Sequence, residues 1–224
     1  MDTESQNSCL RNTSNDIFDY RFSPRIYEDD RGKMTYFHAP KCASRTILGW
    51  MAFVQNPSIQ ENIEFGDSFL LGDYPKITQT TKEVSFPEIR NQLKFCVVRD
   101  PVERFVSAYK DRVLRYQPEE VSVFPTIQHL LSDLQGAKKF QTLFHHLKPM
   151  VSFYGENPGI FDWVFSFSRL NEVRDFLASE YDVPLPQLHL QSSSKIETPE
   201  LAPDEVDFIR ELYAPDYEIY GKFI

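Results

Sequence analysis

Two short stretches of this chain carry residue types that grip anions. His38-Ala39-Pro40-Lys41-Cys42-Ala43-Ser44-Arg45-Thr46-Ile47 brings together a lysine, small residues and two hydroxyls. The unpaired N–H groups and dipole of a helix N-terminus attract an anion. Small side chains at Cys42, Ala43 and Ser44 let the backbone come close, Lys41 adds a compact charge, and Ser44 and Thr46 add hydroxyl donors. This suits the cradling of a phosphate or sulfate. The other reading is an ordinary loop with Ser44 as a helix cap and Lys41 in solvent. A nucleoside-triphosphatase loop is excluded, because G-x-x-x-x-G-K-S/T does not occur and the lysine here precedes the small residues. The second stretch is Val98-Arg99-Asp100-Pro101-Val102-Glu103-Arg104-Phe105-Val106-Ser107-Ala108-Tyr109. Arg99 leaves a strand at its C-terminal edge, where open α/β sheets bind ligands. Its guanidinium and the Ser107 hydroxyl, two turns into the next helix, can hold one phosphate together. Ser107 as a plain helix-surface serine is the alternative. Arg104 reads as structural, pairing with Asp100 or Glu103.

Both stretches need a strand before them and a helix after. Residues 34–38 form a short β-type run closed by Pro40. From Ser44 to Val54, Ile47, Leu48, Met51 and Phe53-Val54 recur near helical spacing, and Pro57 is a stop. Phe95-Cys96-Val97-Val98 is a continuous apolar run suited to a parallel sheet covered on both faces. Pro101 opens a helix at its first turn, and Val102, Phe105, Val106, Tyr109 and Val113 form one stripe. The strand–loop–helix unit thus occurs twice. Ile26-Tyr27 reads as an edge strand in an otherwise loose, polar arm over residues 1–32. Helices are expected over residues 86–92, 126–134, 138–147, 170–180 and 203–213, and a strand over 163–167. Pro184 and Pro186 mark a loop that continues into Ser192-Ser193-Ser194-Lys195. The alternation predicts a single α/β domain over residues 33–224, a three-layer, P-loop-like arrangement with a central parallel sheet flanked by helices.

Composition narrows the function. A chain of 224 residues, 41% hydrophobic and 14% aromatic, is globular and large enough for one substantial core. A net charge of -9, from 24 basic and 33 acidic residues, argues against nucleic acid and heparin-like polymers as partners, while leaving room for a local basic groove. Cys9, Cys42 and Cys96 form neither a disulfide framework nor a metal set, which fits a reducing compartment. The N-terminal residues lack an apolar run, and nothing approaches the roughly 20 apolar residues of a membrane span. A cytoplasmic protein is expected, with the Asn12-Thr13-Ser14 sequon unused. Oligomeric state has no signature here.

As a pair, P-K-C-A-S-R-T-I and V-V-R-D-P-V-E-R-F-V-S-A-Y resemble the nucleotide motifs of carbohydrate-type sulfotransferases, in their broad membrane-associated and bacterial superfamily. Three weaker echoes follow: Phe144-His145-His146-Leu147-Lys148-Pro149 is similar to the family's H-x-x-P stretch, residues 162–170 to its strand-plus-Arg segment, and residues 209–217 to its C-terminal helix. The resemblance covers roughly residues 33–223. It implies a metal-free reaction in which a hydroxyl or amine of a carbohydrate or small-molecule acceptor attacks sulfur of 3′-phosphoadenosine 5′-phosphosulfate in line, and adenosine 3′,5′-bisphosphate leaves. It implies 5′-phosphosulfate binding by Lys41, Cys42, Ala43, Ser44, Arg45 and Thr46, with Lys41 on the bridging oxygen. It implies 3′-phosphate binding by Arg99 and Ser107, and a Ser-rich loop with Lys195 closing over the nucleotide. Arg169 reads either as a site residue or as a core ion-pair residue. Arg45 departs from the family's small or hydroxyl residues, either adding a phosphate contact or leaving only its amide in place. In the family's usual setting a longer parent chain would place the domain in the Golgi lumen.

The general base is the open position. Related proteins often carry His or Glu between the motifs, and this chain has no histidine between His38 and His129. Asp73 stands about where that histidine falls, with Asp67 and Glu64 as runners-up and His145 and His146 as alternatives from a later helix. Asp73 is otherwise a turn residue after Gly72, and His146 a core or capping histidine. Two other functions compete. One is a nucleotide-dependent phosphotransferase, disfavoured by the missing Walker pattern and the lack of an evident magnesium carboxylate. The other is a non-catalytic nucleotide-binding module, kept open by the missing inter-motif histidine. Residues 56–92 and 115–160 are expected to line the acceptor pocket, where Phe65, Phe69, Tyr74, Tyr116 and Phe124 either stack on a ring or belong to the core.

Overall fold

Side chains along a strand alternate between the two faces of its sheet. In β2, Met34–Phe37, all four residues are buried, and so are Phe95 to Val98 of β4, Leu93–Val98. Both faces at the centre of the sheet are therefore covered, as a continuous apolar run requires. This is a computed structural model, and it describes residues 17–18, 22, 24–29, 31–56, 78–80, 89–115, 123–188 and 196–224. The sheet has five strands in the order β3-β1-β2-β4-β5, where β1 is Ile26–Glu28, β3 is Thr78–Thr80 and β5 is Trp163–Ser166. β2, β4 and β5 run parallel, and β1 is antiparallel to both β2 and β3. The sheet is thus mostly parallel, not purely so.

Ile26-Tyr27 is not an edge strand. It lies between β3 and β2, with Ile26 and Tyr27 in the core, because two large apolar side chains are better buried at an interior position. Ile17 and Phe18, also from the stretch read as an arm, are buried against a second cluster.

Helix α1, Ser44–Gln55, follows β2, and α2, Pro101–Tyr109, follows β4. α2 opens on Pro101 as expected, but its stripe does not continue as an α-helix. The chain widens into a π-helical turn over Lys110–Arg115. Next come α3, Ile127–Ser132, α4, Leu134–Ala137, α5, Gln141–Leu147, and α6, Val151–Tyr154. The helix expected over residues 126–134 breaks at Asp133, which leaves helical geometry and caps α4 by accepting from the Gly136 N–H at 2.8 Å. Residues 89–92 form a turn in place of a helix. After β5 come α7, Leu170–Tyr181, α8, Pro203–Leu212, and an unforeseen α9, Ala214–Tyr220, which restarts at Pro215. α1 and α7 pack on each other and against the sheet, while α2, α3, α5 and α8 build a second core around Phe105, Leu130, Leu143 and Ile209. Phe124 belongs to that core.

One buried cation ties these layers together. Arg104, 1% exposed, donates through Nη1 to the carbonyls of Pro40 and His146, both at 3.4 Å, and through Nη2 to those of Leu147 and Lys148. Its guanidinium lies 5.5 Å from the ring centre of Tyr213. Arg104 is structural, but not through Asp100 or Glu103. Adjacent helical positions do not face each other. Asp100 instead caps α2 at the Glu103 N–H, 3.0 Å, and accepts from the Tyr217 hydroxyl, 2.8 Å, while Glu103 pairs with Arg99. Arg104→Met should lower the unfolding free energy by about 3 kcal/mol or more, read from urea midpoints at unchanged m. Arg104→Lys should recover little of it, because an ammonium cannot reproduce the guanidinium fork.

Candidate active site

β2 and β4 are parallel neighbours, with Phe37 opposite Cys96, so both chains leave the sheet at the same edge. The loop after β2 then lies beside the residues after β4. Arg99 Nη1 donates to the Lys41 carbonyl at 3.2 Å, joining the two sequence motifs directly.

The first loop is curled tightly without glycine. Lys41 has φ 67 and Ala43 φ 58, both left-handed. Such residues cost about 1–3 kcal/mol each and persist where the surroundings over-determine them. Backbone bent this way forms a concavity of N–H groups suited to an anion. Ala43 is the N-cap of α1, and no side chain caps the helix. Ser44 is therefore not a cap but the first helical residue. Cys42 is fully buried, with Sγ 3.9 Å from Met150 Sδ, and burial raises its thiol, so it is a packing residue rather than a nucleophile. Arg45 is half-buried and Thr46 buried.

Lys41 does not extend into solvent. Its side chain is 15% exposed, and Nζ sits 3.0 Å from Oδ2 of Asp111 on the π-helical turn. Asp111 also meets Arg112 Nε at 3.1 Å and Arg115 Nη1 at 4.0 Å. Burial pushes the Lys41 ammonium below its ordinary range, Asp111 pulls it back, and Arg112 and Arg99 push it down again.

Arg99 pairs with Glu103 at 3.2 Å and lies 4.0 Å over the ring of Phe167. Phe167 was not singled out by the sequence. Its signal was positional: Ser166 lies opposite Val98, so the residue after it must lie beside Arg99. Ser107 is buried on α2 just before the π-helical turn, not on the helix surface.

Three histidines lie close to this edge, all held neutral. His146 Nδ1 donates to the Thr142 carbonyl at 2.7 Å, which leaves Nε2 as an acceptor. Burial first, then the charge of Arg112, push His146 down to about 2, and His145 and Lys41 add to the push. His145 is pushed to about 4 and His38 to about 3, with burial the largest cause and Arg25 the next for both. His38 Nδ1 and His145 Nε2 are buried and lack a hydrogen-bond partner among the described residues.

The structure brings together Lys41 through Thr46, Arg99 and the neighbourhood of His146. Arg169 forms an exposed pair with Glu172 at 3.0 Å and so is not a core residue. Asp73, Asp67, Glu64, Lys195, Phe65, Phe69, Tyr74 and Tyr116 lie outside the described residues. Among the described residues no three His, Cys, Asp or Glu side chains converge as a metal set, and no helix is long and apolar enough to cross a membrane.

The histidines set the acid response. An imidazole held neutral in the fold but free to protonate at 6.5 when unfolded contributes stability above pH 6.5, lost as pH falls toward its folded value. Asp216, buried and raised to about 6, acts in the opposite direction, gaining stability as pH falls from about 6 toward 3.8. Three imidazoles outweigh one carboxylate, so stability should fall between pH 6.5 and 4. His38→Gln should shrink that fall by about 2 kcal/mol in urea titrations across the range.

Comparison with known proteins gives one consistent result. A family model described as the sulfotransferase family matches residues 24–223. Carbohydrate sulfotransferase 10 of Xenopus laevis is 26% identical over 120 residues, 50% of this chain and 33% of that protein. The match thus spans a third of that relative's length. No solved structure matches the chain. The family match runs from just before β1 to the last turn of the chain and contains both anion motifs, so the chain belongs to the sulfotransferase family.

Proposed function

We propose that this protein transfers the sulfuryl group of 3′-phosphoadenosine 5′-phosphosulfate to a hydroxyl or amine of a carbohydrate or small-molecule acceptor. The observation that carries this reading is the junction of the two motifs. The hydrogen bond from Arg99 to the Lys41 carbonyl sets a cation for a 3′-phosphate beside a curled, uncapped loop for a 5′-phosphosulfate. In this scheme the Lys41 ammonium and the N–H groups of Ser44, Arg45 and Thr46 receive the 5′ side, in a P-loop-like manner without the glycines. Arg99 and Ser107 receive the 3′-phosphate, with Phe167 fixing the guanidinium plane. Lys195, outside the described residues, is assigned to the nucleotide by the resemblance alone.

The acceptor oxygen or nitrogen attacks sulfur as the bond from sulfur to the bridging oxygen breaks. That oxygen leaves with its electron pair on the bisphosphate, where Lys41 stabilises the charge. The acceptor's proton goes to a base, for which His146 Nε2 is the candidate among the described residues and Asp73 the alternative. His146 alone is too weak a base for neutral pH. Part of its depression comes from Arg112 and Lys41, and a bound polyanionic donor offsets those charges and raises it. Positioning and charge stabilisation supply the catalysis, and the scheme uses no metal. The free, buried thiols Cys42 and Cys96 support a cytoplasmic setting.

Adenosine 3′,5′-bisphosphate at about 100-fold over its Kd should raise the melting temperature by about 5 °C or more, AMP and ATP by less. Arg99→Ala should remove the preference for the bisphosphate over AMP. Lys41→Ala should lower kcat for labelled sulfuryl transfer by about 100-fold or more. No rise with the bisphosphate defeats the reading, and a larger rise with ATP defeats it in favour of a phosphotransferase. A rise without turnover on any acceptor leaves a nucleotide-binding module.

A further inference from the structure

Three cations converge on one buried carboxylate beside the first motif. Asp111, with 4% of its side chain exposed, meets Lys41 at 3.0 Å, Arg112 at 3.1 Å and Arg115 at 4.0 Å. It sits on the π-helical turn Lys110–Arg115, where the chain departs from the α-helix carrying Ser107. Single π turns are uncommon and are frequently found at functional sites. This one is anchored at its start, where Lys110 Nζ donates to Thr198 Oγ1 at 2.8 Å.

We propose that Asp111 is a positioning residue for Lys41, holding the ammonium as an internal counter-anion until the donor's phosphosulfate takes it over. The proposal rests on the nucleotide reading above. Stability does not explain the arrangement, because a buried ion pair often does no better than apolar side chains of the same volume. Geometry does. Lys41 is held left-handed, with its carbonyl fixed by Arg99 of the second motif and its ammonium fixed by Asp111 of the π-helical turn that follows, so both ends of the residue are clamped. The charge balance also fits. One carboxylate among three cations leaves the region positive, so an arriving polyanion is attracted, and the flexible lysine is the cation most easily transferred.

Asp111 also keeps Lys41 charged in a half-dry site. The groups acting on the ammonium are Asp111 and Arg112 from the π-helical turn and Arg99 from the end of β4; Arg115 faces Asp111, and His146 of α5 is held neutral. Burial, Arg112 and Arg99 all favour loss of its proton, and Asp111 alone opposes them. Removing the carboxylate charge lets Lys41 titrate at lower pH, where it can no longer stabilise the departing phosphate.

The test uses the full chain, with bisphosphate binding by calorimetry and turnover of the sulfuryl donor across pH. Asp111→Asn should bind the bisphosphate at least as tightly as wild type, since a competing anion is gone. Its kcat should fall by about 10- to 100-fold through misplacement of Lys41, and the alkaline limb of the kcat profile should move to lower pH. Asp111→Glu should keep the limb in place and lose part of kcat. In a Lys41→Ala background neither substitution should change kcat further. An unmoved limb in Asp111→Asn, or a kcat loss that persists undiminished in the Lys41→Ala background, overturns the proposal. If Asp111→Asn does not fold, the Asp111→Glu and Lys41→Ala cycle decides by whether the kcat loss persists in the Lys41→Ala background. Wild type that fails to bind the bisphosphate overturns the nucleotide reading and this proposal together, whereas normal wild-type binding with an unmoved limb overturns this proposal alone.

Discussion

A guanidinium with almost no contact with water organises the edge of the sheet where the two motifs meet. Arg104 comes from the second motif, yet its hydrogen bonds go to Pro40 in the first loop and to His146, Leu147 and Lys148 where α5 ends. The last carbonyls of a helix have no partner within it and face the negative end of its dipole, so a buried cation there is well placed. Asp216 of α9 is the counterpart, accepting from the Met150 and Val151 N–H groups at 2.8 and 2.9 Å where α6 begins. Pro149, between the two helices, has no N–H to satisfy. One cation thus fixes the end of α5 and one anion the start of α6, and Tyr213 covers the cation. The residue after Pro40 is Lys41, and the first carbonyl bound on α5 belongs to His146, so both residues inherit their positions from Arg104.

This constraint explains how an acidic chain can present a cationic site. The net charge of -9 is spread over the whole molecule, whereas Lys41, Arg99, Arg104, Arg112 and Arg115 lie along one edge with Asp111 and Glu103 as their named acidic partners. Low-dielectric walls focus such a field. The bulk charge argues against polyanion wrapping without bearing on a small anion, which senses only the local excess.

The parts legible in the sequence are those whose physics is local. Continuous apolar runs announced β2 and β4, Pro101 announced the start of α2, and the small residues after Lys41 announced a tightly turned loop before a helix. The interior place of Ile26-Tyr27 could not be read, because a three-residue strand gives no periodicity and its neighbours in the sheet are distant in sequence. Arg104's partners were illegible for a different reason: four backbone carbonyls carry no residue-type signal. The π-helical turn was hidden because the apolar stripe through Val113 has nearly the same spacing in an α-helix. The pair of Lys41 and Asp111 joins the first motif to a turn beyond the second, and nothing in either stretch alone requires it.

The electrostatics of the edge impose an order on the proposed chemistry. In the donor-free chain His146 is too poor a base to take a proton, and Lys41 is committed to Asp111. Burial is the largest cause of the first condition, and the charges of Arg112 and Lys41 add to it. A polyanionic donor placed against Arg112 and Lys41 supplies the missing negative charge, which frees the ammonium for the leaving oxygen and raises the imidazole toward a useful range. Acid and base then become competent together, and only when the donor is in place. An acceptor arriving first meets neither a charged group free to stabilise a leaving phosphate nor a base able to take its proton. On this reading the cations around Asp111 and the part of the His146 depression that Arg112 and Lys41 cause belong to one arrangement, a site whose charges balance only with its donor bound.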